Sequence, residues 1–185
     1  SPGKASADEW IAVMRAAHEL GLRTTATMMF GHVESAAERA EHLERLRNLQ
    51  DDTGGFTAFI CWPFQAANTA LGAELADGRL RAEWSADGRW QPVGAQEYLR
   101  TLAVSRLYLD NFDHLQASWV TMGPKLGQVA LKFGADDLGS TMIEENVVRA
   151  AGVTHRQTEG DLVHLIREAG FEPRRRDCLY TATFD

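Results

Sequence analysis

The chain has 185 residues, of which 44% are hydrophobic and 24% charged, enough apolar content for one globular domain with its own core and too much for a disordered chain. With 19 basic and 26 acidic side chains the net charge is -7, a sign that argues against nucleic acid and anionic membrane surfaces as partners. No apolar run reaches the ~18 residues of a membrane span, no secretion leader is visible, and Cys61 and Cys178 make neither a disulfide framework nor a CxxC metal pair, so a reducing, cytoplasmic setting is expected. The chain opens on Ser-Pro-Gly-Lys without an initiator Met, which reads as processing or a fragment.

In chain order, Ser6 and Glu9 form a capping box, in which each side chain can satisfy the other's free backbone N–H. Trp10, Val13, Met14 and Ala17 then share one helical face, and Gly21 offers the stop. Residues 24–30 are β-branched and apolar and predict a strand buried on both faces. Ser35 and Glu38 make a second capping box, Leu43, Leu46 and Leu49 carry the apolar stripe, and Gly54-Gly55 ends that helix. Residues 56–62 predict the second strand. A polar stretch with Asp77-Gly78 and Asp87-Gly88 turns follows, a long loop or hairpin arm over 72–94.

The spacing predicts a third helix over 96–109, with Tyr98, Leu102 and Leu109 inward, and a third strand over 114–121. Pro124 fits the first turn of a fourth helix that ends at Gly134. Residues 138–142 predict a short fourth strand. A last helix over 159–169 buries Leu162, Leu165, Ile166 and Ala169, and 179–184 predicts a final strand. The run Arg174-Arg175-Arg176 reads as a solvated helix exit, with a small anionic ligand as the sharper alternative.

Strands alternating with helices predict an α/β fold with parallel pairing through right-handed crossovers, either doubly wound or part of a (βα)8 barrel. GxGxxG after a strand and GxxxxGK[ST] are both absent from the sequence. Chemistry in such folds gathers where strands end and helices begin. At the first strand end stand Gly31, His32 and Glu34. At the second, Gln65 and Asn68 follow Trp62 and Phe64, aromatics and amides that could orient a planar ligand. At the third, Ser118 and Thr121 need not face the same way in a strand. At the fourth, Ser140 precedes Glu144-Glu145, paired carboxylates with general acid/base capacity. The six His show no metal-ligand spacing, so no metal site is expected within the chain.

At these strand ends the sequence resembles one family. The blocks are Thr-Thr-Ala-Thr-Met-Met-Phe-Gly-His-Val-Glu (24–34), Gly-Gly-Phe-Thr-Ala-Phe-Ile (54–60), Ser-Arg-Leu-Tyr-Leu-Asp-Asn-Phe (105–112), Gln-Ala-Ser-Trp-Val-Thr (116–121) and Gly-Ser-Thr-Met-Ile-Glu-Glu-Asn-Val-Val (139–148). They are similar to the radical S-adenosylmethionine (SAM) enzymes of the futalosine route to menaquinone. The Ala-Phe-Ile and Gln-Ala-Ser-Trp-Val-Thr blocks point to the cyclase branch. Sister branches are the aminofutalosine synthases and the tyrosine-utilising transferases of deazaflavin cofactor assembly.

The resemblance implies the C-terminal half of a (βα)8-type barrel, with 1–185 one partial barrel domain of about four strand–helix units. It implies SAM and a [4Fe-4S] cluster as cofactors. Reductive cleavage of SAM would give a 5′-deoxyadenosyl radical that removes hydrogen from the ribose of a nucleoside-like substrate, dehypoxanthine futalosine, before ring closure. By the same resemblance Met29, Gly31, His32 and Glu34 belong to the SAM-adenine strand, with the backbone of Met29 at the adenine edge. Gln65, Asn68, Ser118, Thr121 and Ser140 would face substrate, and Glu144 would remove the final proton.

Three departures stand out. The cluster motif CxxxCxxC is absent from the sequence, the loop around 77–91 is longer than in relatives, and Cys61 stands where Pro is expected. Two lone Cys cannot supply a cluster's thiolate set, so the cluster ligands are expected outside this chain. The implied partners are a missing N-terminal barrel half or a second copy, and an external electron donor. A non-catalytic half-barrel that binds nucleoside-like ligands is the alternative from a different class.

Overall fold

The computed structural model describes residues 3–141, 150, 152 and 155–184. Its first elements follow from local signals. Helix α1 (Ala7–Glu19) starts at Ser6, whose N–H donates to Glu9 Oε2 at 2.7 Å while its Oγ accepts from the Glu9 N–H at 3.3 Å. Strand β1 (Thr24–Phe30) follows, then helix α2 (Ala36–Thr53), started by the Ser35/Glu38 box and stopped by Gly54 at φ 59°. Strand β2 (Phe56–Pro63) runs parallel to β1 in a register from Thr25 opposite Ala58 to Phe30 opposite Pro63.

Helices α3 (Ala70–Ala76) and α4 (Ala95–Tyr108) lead to β3 (Leu115–Gln116), which pairs parallel with Phe59 and Ile60. The sheet order is β1-β2-β3, and Asp137 bridges Gln116 in parallel as a fourth strand position. Parallel strands thus alternate with helices, as the sequence predicts for this α/β half-barrel.

One side of the sheet carries the core. Ala26, Met28 and Phe30 of β1 and Phe59 and Cys61 of β2 are buried with Leu43, Leu46 and Leu49 of α2 and Tyr98 and Leu102 of α4. Each buried leucine contributes roughly 1.5–3 kcal/mol relative to exposure. The other side is open: Thr25, Thr27 and Met29 are exposed, with Met29 at 47%. The expectation of a strand buried on both faces fails here, because among the described residues the helices cover one side only.

Three further expectations change. The third strand is two residues long rather than 114–121. Trp119 turns into helix α5 (Trp119–Met122), where its indole N–H donates to the Leu138 carbonyl at 2.6 Å. The fourth strand over 138–142 reduces to the single bridge at Asp137, and Met142 lies outside the described residues. On α1, Val13 points to solvent at 60% exposed, while Trp10, Ile11 and Met14 pack against the core.

Helix α6 (Pro124–Ala130) begins on its proline, and α7 (Glu159–Glu168) on a Thr158/Asp161 box. The chain closes with β4 (Arg175–Arg176) antiparallel to β5 (Thr183–Phe184). Arg176 is therefore no solvated helix exit. Its guanidinium pairs with Asp137, whose carboxylate also accepts from the Tyr180 hydroxyl, and the Tyr180 ring stacks on His114 at 3.9 Å. Among the described residues no helix is long and apolar enough to cross a membrane.

His18 joins α1 to the sheet. Its ring nitrogens bond Thr53 Oγ1 at 2.7 Å and Thr24 Oγ1 at 2.8 Å, and the ring stands edge-on to Phe56 at 4.7 Å. Burial first, then the positive charges of Arg23 and Arg15, hold its pKa below the ordinary value. Such a group stabilises the fold in its neutral form. That contribution is present above the unfolded value of about 6.5 and is lost as pH falls through the lowered folded value. We expect the Tm to drop on acidification from neutral pH, and to drop less in His18→Gln, as measured by circular dichroism melts across the pH range.

Candidate functional site

Beyond Phe30 the chain turns at Gly31, which sits at φ 88°. A Cβ there would lie 2.1 Å from Val93 Cγ2, so both backbone and packing demand glycine. The turn aims two successive amides at one carboxylate. The Gly31 N–H donates to Glu34 Oε1 at 2.6 Å and the His32 N–H to Glu34 Oε2 at 2.9 Å. Arg39, in the first turns of α2, donates its Nε to Glu34 Oε1 at 2.8 Å and its Nη1 to Glu97 Oε1 of α4 at 2.5 Å. The side chains of Glu34 and Arg39 are each only 11% exposed, and the guanidinium lies 4.9 Å from the Phe30 ring centroid.

His32 lies beside the Glu34 carboxylate in the same turn. Its Nδ1 stands 3.2 Å from Glu34 Oε2 but out of hydrogen-bonding alignment, and this buried nitrogen has no partner among the described residues. The ring stands edge-on to Phe64 at 6.0 Å.

The segment expected as a loop over 72–94 divides in two. Its first residues continue α3, and the remainder folds back over the end of β1. Trp84 Nε1 donates to the His32 carbonyl at 3.1 Å and Trp90 Nε1 to the Gly31 carbonyl at 2.8 Å. Sequence reading missed Trp84, Trp90, Arg39 and Glu97. Two tryptophans inside a polar stretch were an available signal, since such large rings bury somewhere. The Arg39–Glu97 pair, 58 positions apart, left none.

Beside this loop lies an open cleft of about 720 Å³ lined by Phe64, Gln65, Asn68, Trp90, Thr121 and Met122 among others. Here the structure brings three of the predicted substrate residues together. Gln65 Nε2 donates to the Pro63 carbonyl at 3.0 Å. Asn68, at φ 60°, donates Nδ2 to the Ala150 carbonyl at 2.8 Å. Ser118 and Thr121, which need not face the same way in a strand, share one helical turn and bond each other at 2.7 Å. Ser118 is buried behind Thr121 with its N–H on the Tyr98 hydroxyl at 2.8 Å. Ser140 is exposed and does not line the cleft, and Glu144 lies outside the described residues.

The fit of the two implied cofactors differs. Backbone bonds from Thr24 N–H to Gly55 and from Phe64 N–H to Phe30 fix the even residues of β1 toward β2. The alternate residues Thr25, Thr27 and Met29 therefore turn their amides to the sheet edge that has no strand partner among the described residues. That edge and the partnerless His32 nitrogen fit a polar, planar ligand group such as adenine. A [4Fe-4S] cluster does not fit. Among the described residues no group of three His, Cys, Asp or Glu could hold a metal ion. Burial pushes the Cys61 thiol up to about 12, so it stays protonated.

A family model described as the CofH/MqnC C-terminal region matches residues 53–184. The cyclic dehypoxanthine futalosine synthase of Halalkalibacterium halodurans is 44% identical over 173 residues, covering 94% of this chain and 42% of that protein. The aminodeoxyfutalosine synthase of Thermus thermophilus is also 44% identical, over 96% of this chain and 45% of that protein. The 5-amino-6-(D-ribitylamino)uracil--L-tyrosine 4-hydroxyphenyl transferase of Methanopyrus kandleri is 42% identical, over 97% of this chain and 46% of that protein. The chain spans less than half the length of these curated relatives.

Three outcomes are expected. Replacing Glu34 by Gln strips charge from a nearly buried pair, so urea unfolding should show a loss of about 2–4 kcal/mol. Arg45→Gln, which breaks only exposed pairs with Asp8 and Glu41, should change stability little. A thiol reagent at mildly alkaline pH should label exposed Cys178 and spare Cys61 until the chain unfolds, as read by intact mass.

Proposed function

Because this chain belongs to the family described as the CofH/MqnC C-terminal region, we propose that it forms the second half of a radical SAM enzyme that cyclises dehypoxanthine futalosine. The observation that carries the reading is a convergence at one end of the parallel sheet. Trp90, bonded to the Gly31 carbonyl, joins the Gly31–Glu34 loop to the cleft that Gln65, Asn68 and Thr121 line where the strands end, the place where such folds keep their chemistry.

In this reading Met29 offers backbone groups to adenine at the free edge of β1, and Gly31, His32 and Glu34 shape the turn beside it. SAM, when bound, supplies the hydrogen-abstracting chemistry. The cluster ligands and the electron donor lie outside this chain. Phe64 and Trp90 present apolar walls that exclude water from a nucleoside-like substrate. Gln65 has its carbonyl oxygen, and Thr121 its hydroxyl, at the cleft to orient substrate polar groups. Ser118 holds the Thr121 hydroxyl, Ser140 faces substrate from outside the cleft lining, and Glu144 takes the final proton.

A sister activity is the second reading, favoured by the equal 44% identity to a relative named aminodeoxyfutalosine synthase. The deciding experiment is turnover by the intact protein, reconstituted with iron and sulfide and supplied with reductant, SAM and dehypoxanthine futalosine. Mass spectrometry is expected to detect a product lighter than the substrate by two hydrogen atoms. Turnover of a sister enzyme's substrate alone would overturn the cyclase assignment.

A further inference from the structure

Three successive carbonyls at the end of β1 accept hydrogen bonds from one distant segment. The Gly31 carbonyl takes the Trp90 indole at 2.8 Å, the His32 carbonyl takes the Trp84 indole at 3.1 Å, and the Val33 carbonyl takes the Glu83 N–H at 3.5 Å. The amides of Gly31 and His32 are held at the same time by Glu34. The polar backbone of the turn is thus held from both sides.

The clamping segment is itself braced. Ala82 N–H donates to the Gly88 carbonyl and Gly88 N–H to the Ser85 carbonyl, each at 3.1 Å. Asp87 Oδ1 accepts from Ser85 Oγ and from the Arg89 N–H, each at 2.9 Å. Ala82 is fully buried, and the Trp84 ring lies 5.5 Å from the Arg39 guanidinium. The segment is thus bonded within itself as well as to the turn.

We propose that Trp84 and Trp90 are positioning residues, whose indole N–H groups hold the Gly31–Glu34 turn in the one conformation that receives the cofactor. The proposal rests on the reading of this turn as part of the SAM site. A free four-residue turn would lose conformational freedom on ligand binding. A turn already clamped avoids that loss, and affinity rises accordingly. Trp90 also lines the cleft, whereas Trp84 is absent from its lining and acts through the His32 carbonyl. Trp84 is therefore the cleaner probe.

The test uses Trp84→Phe and Trp90→Phe in the intact protein, changes that keep an aromatic ring and remove the N–H donor. Amide hydrogen exchange is read at Gly31 and His32, with Phe59 and Cys61 in β2 as the core reference. Affinity is read by calorimetry with S-adenosylhomocysteine, which needs no cluster turnover. We expect faster exchange at 31–32 with the β2 amides unchanged, and affinity roughly two- to tenfold weaker for each variant. In turnover the KM for SAM should rise by more than kcat falls.

Unchanged exchange at 31–32 in both variants would overturn the proposal. So would faster exchange with wild-type affinity. Faster exchange in variants of a wild-type protein that does not bind the probe would retire the SAM reading of the turn and leave the clamp itself supported.

Discussion

A carboxylate buried at the end of a strand must be neutralised from several directions, and the Glu34 box does this for the whole upper edge of the sheet. Two amides come from the turn that Glu34 itself closes, and the third donor comes from Arg39 on α2. Arg39 then reaches Glu97 on α4. One guanidinium therefore ties the strand end to both α2 and α4. Burial of such a pair is favourable only when the remaining donors and acceptors are met. Here the backbone of the turn and the Phe30 ring supply much of that environment.

The far edge of the sheet is held by a pair of neighbouring carboxylates, Asp136 and Asp137, with different consequences. Asp136 takes the Leu115 N–H at 2.7 Å, Arg106 at 2.8 Å and His114 at 2.6 Å. Asp137 collects Arg176, the Tyr180 hydroxyl and the Gly139 N–H at 2.7 Å. Side-chain bonding substitutes for strand length: a two-residue β3 and a single bridge hold their places because carboxylates pin them. At the Glu34 end of the sheet lies a cleft walled by aromatic rings. An apolar wall with few polar groups suits orientation of a nucleoside-like molecule.

The parts legible in the sequence were those whose causes lie within a few residues. The Ser6/Glu9 and Ser35/Glu38 boxes each span three positions, and both helices start where those boxes place them. The leucine stripe of α2 was equally plain, since 3.6-residue periodicity is a property of the helix alone. The strand ends carrying Gly31, His32, Glu34, Gln65 and Asn68 followed from the alternation of elements. The parallel α/β class followed from the same alternation, and the family model agrees with it.

Tertiary structure decided what depends on distant pairs. The indoles of Trp84 and Trp90 reach across 52 and 59 positions to their carbonyls, and Arg176 crosses 39 to Asp137. Residues 114–121 show the limit most clearly. Their apolar, β-branched composition favours a strand, yet Trp119 gains a buried bond to Leu138 and Ser118 a bond to Thr121 by turning helical. Length, charge and local pattern therefore determined the class of this 185-residue chain, its helix starts and its strand ends. Which side chains close on one another, and which face of the sheet stays open, only packing could decide, because hydrogen bonds between remote positions leave no periodic trace in the sequence.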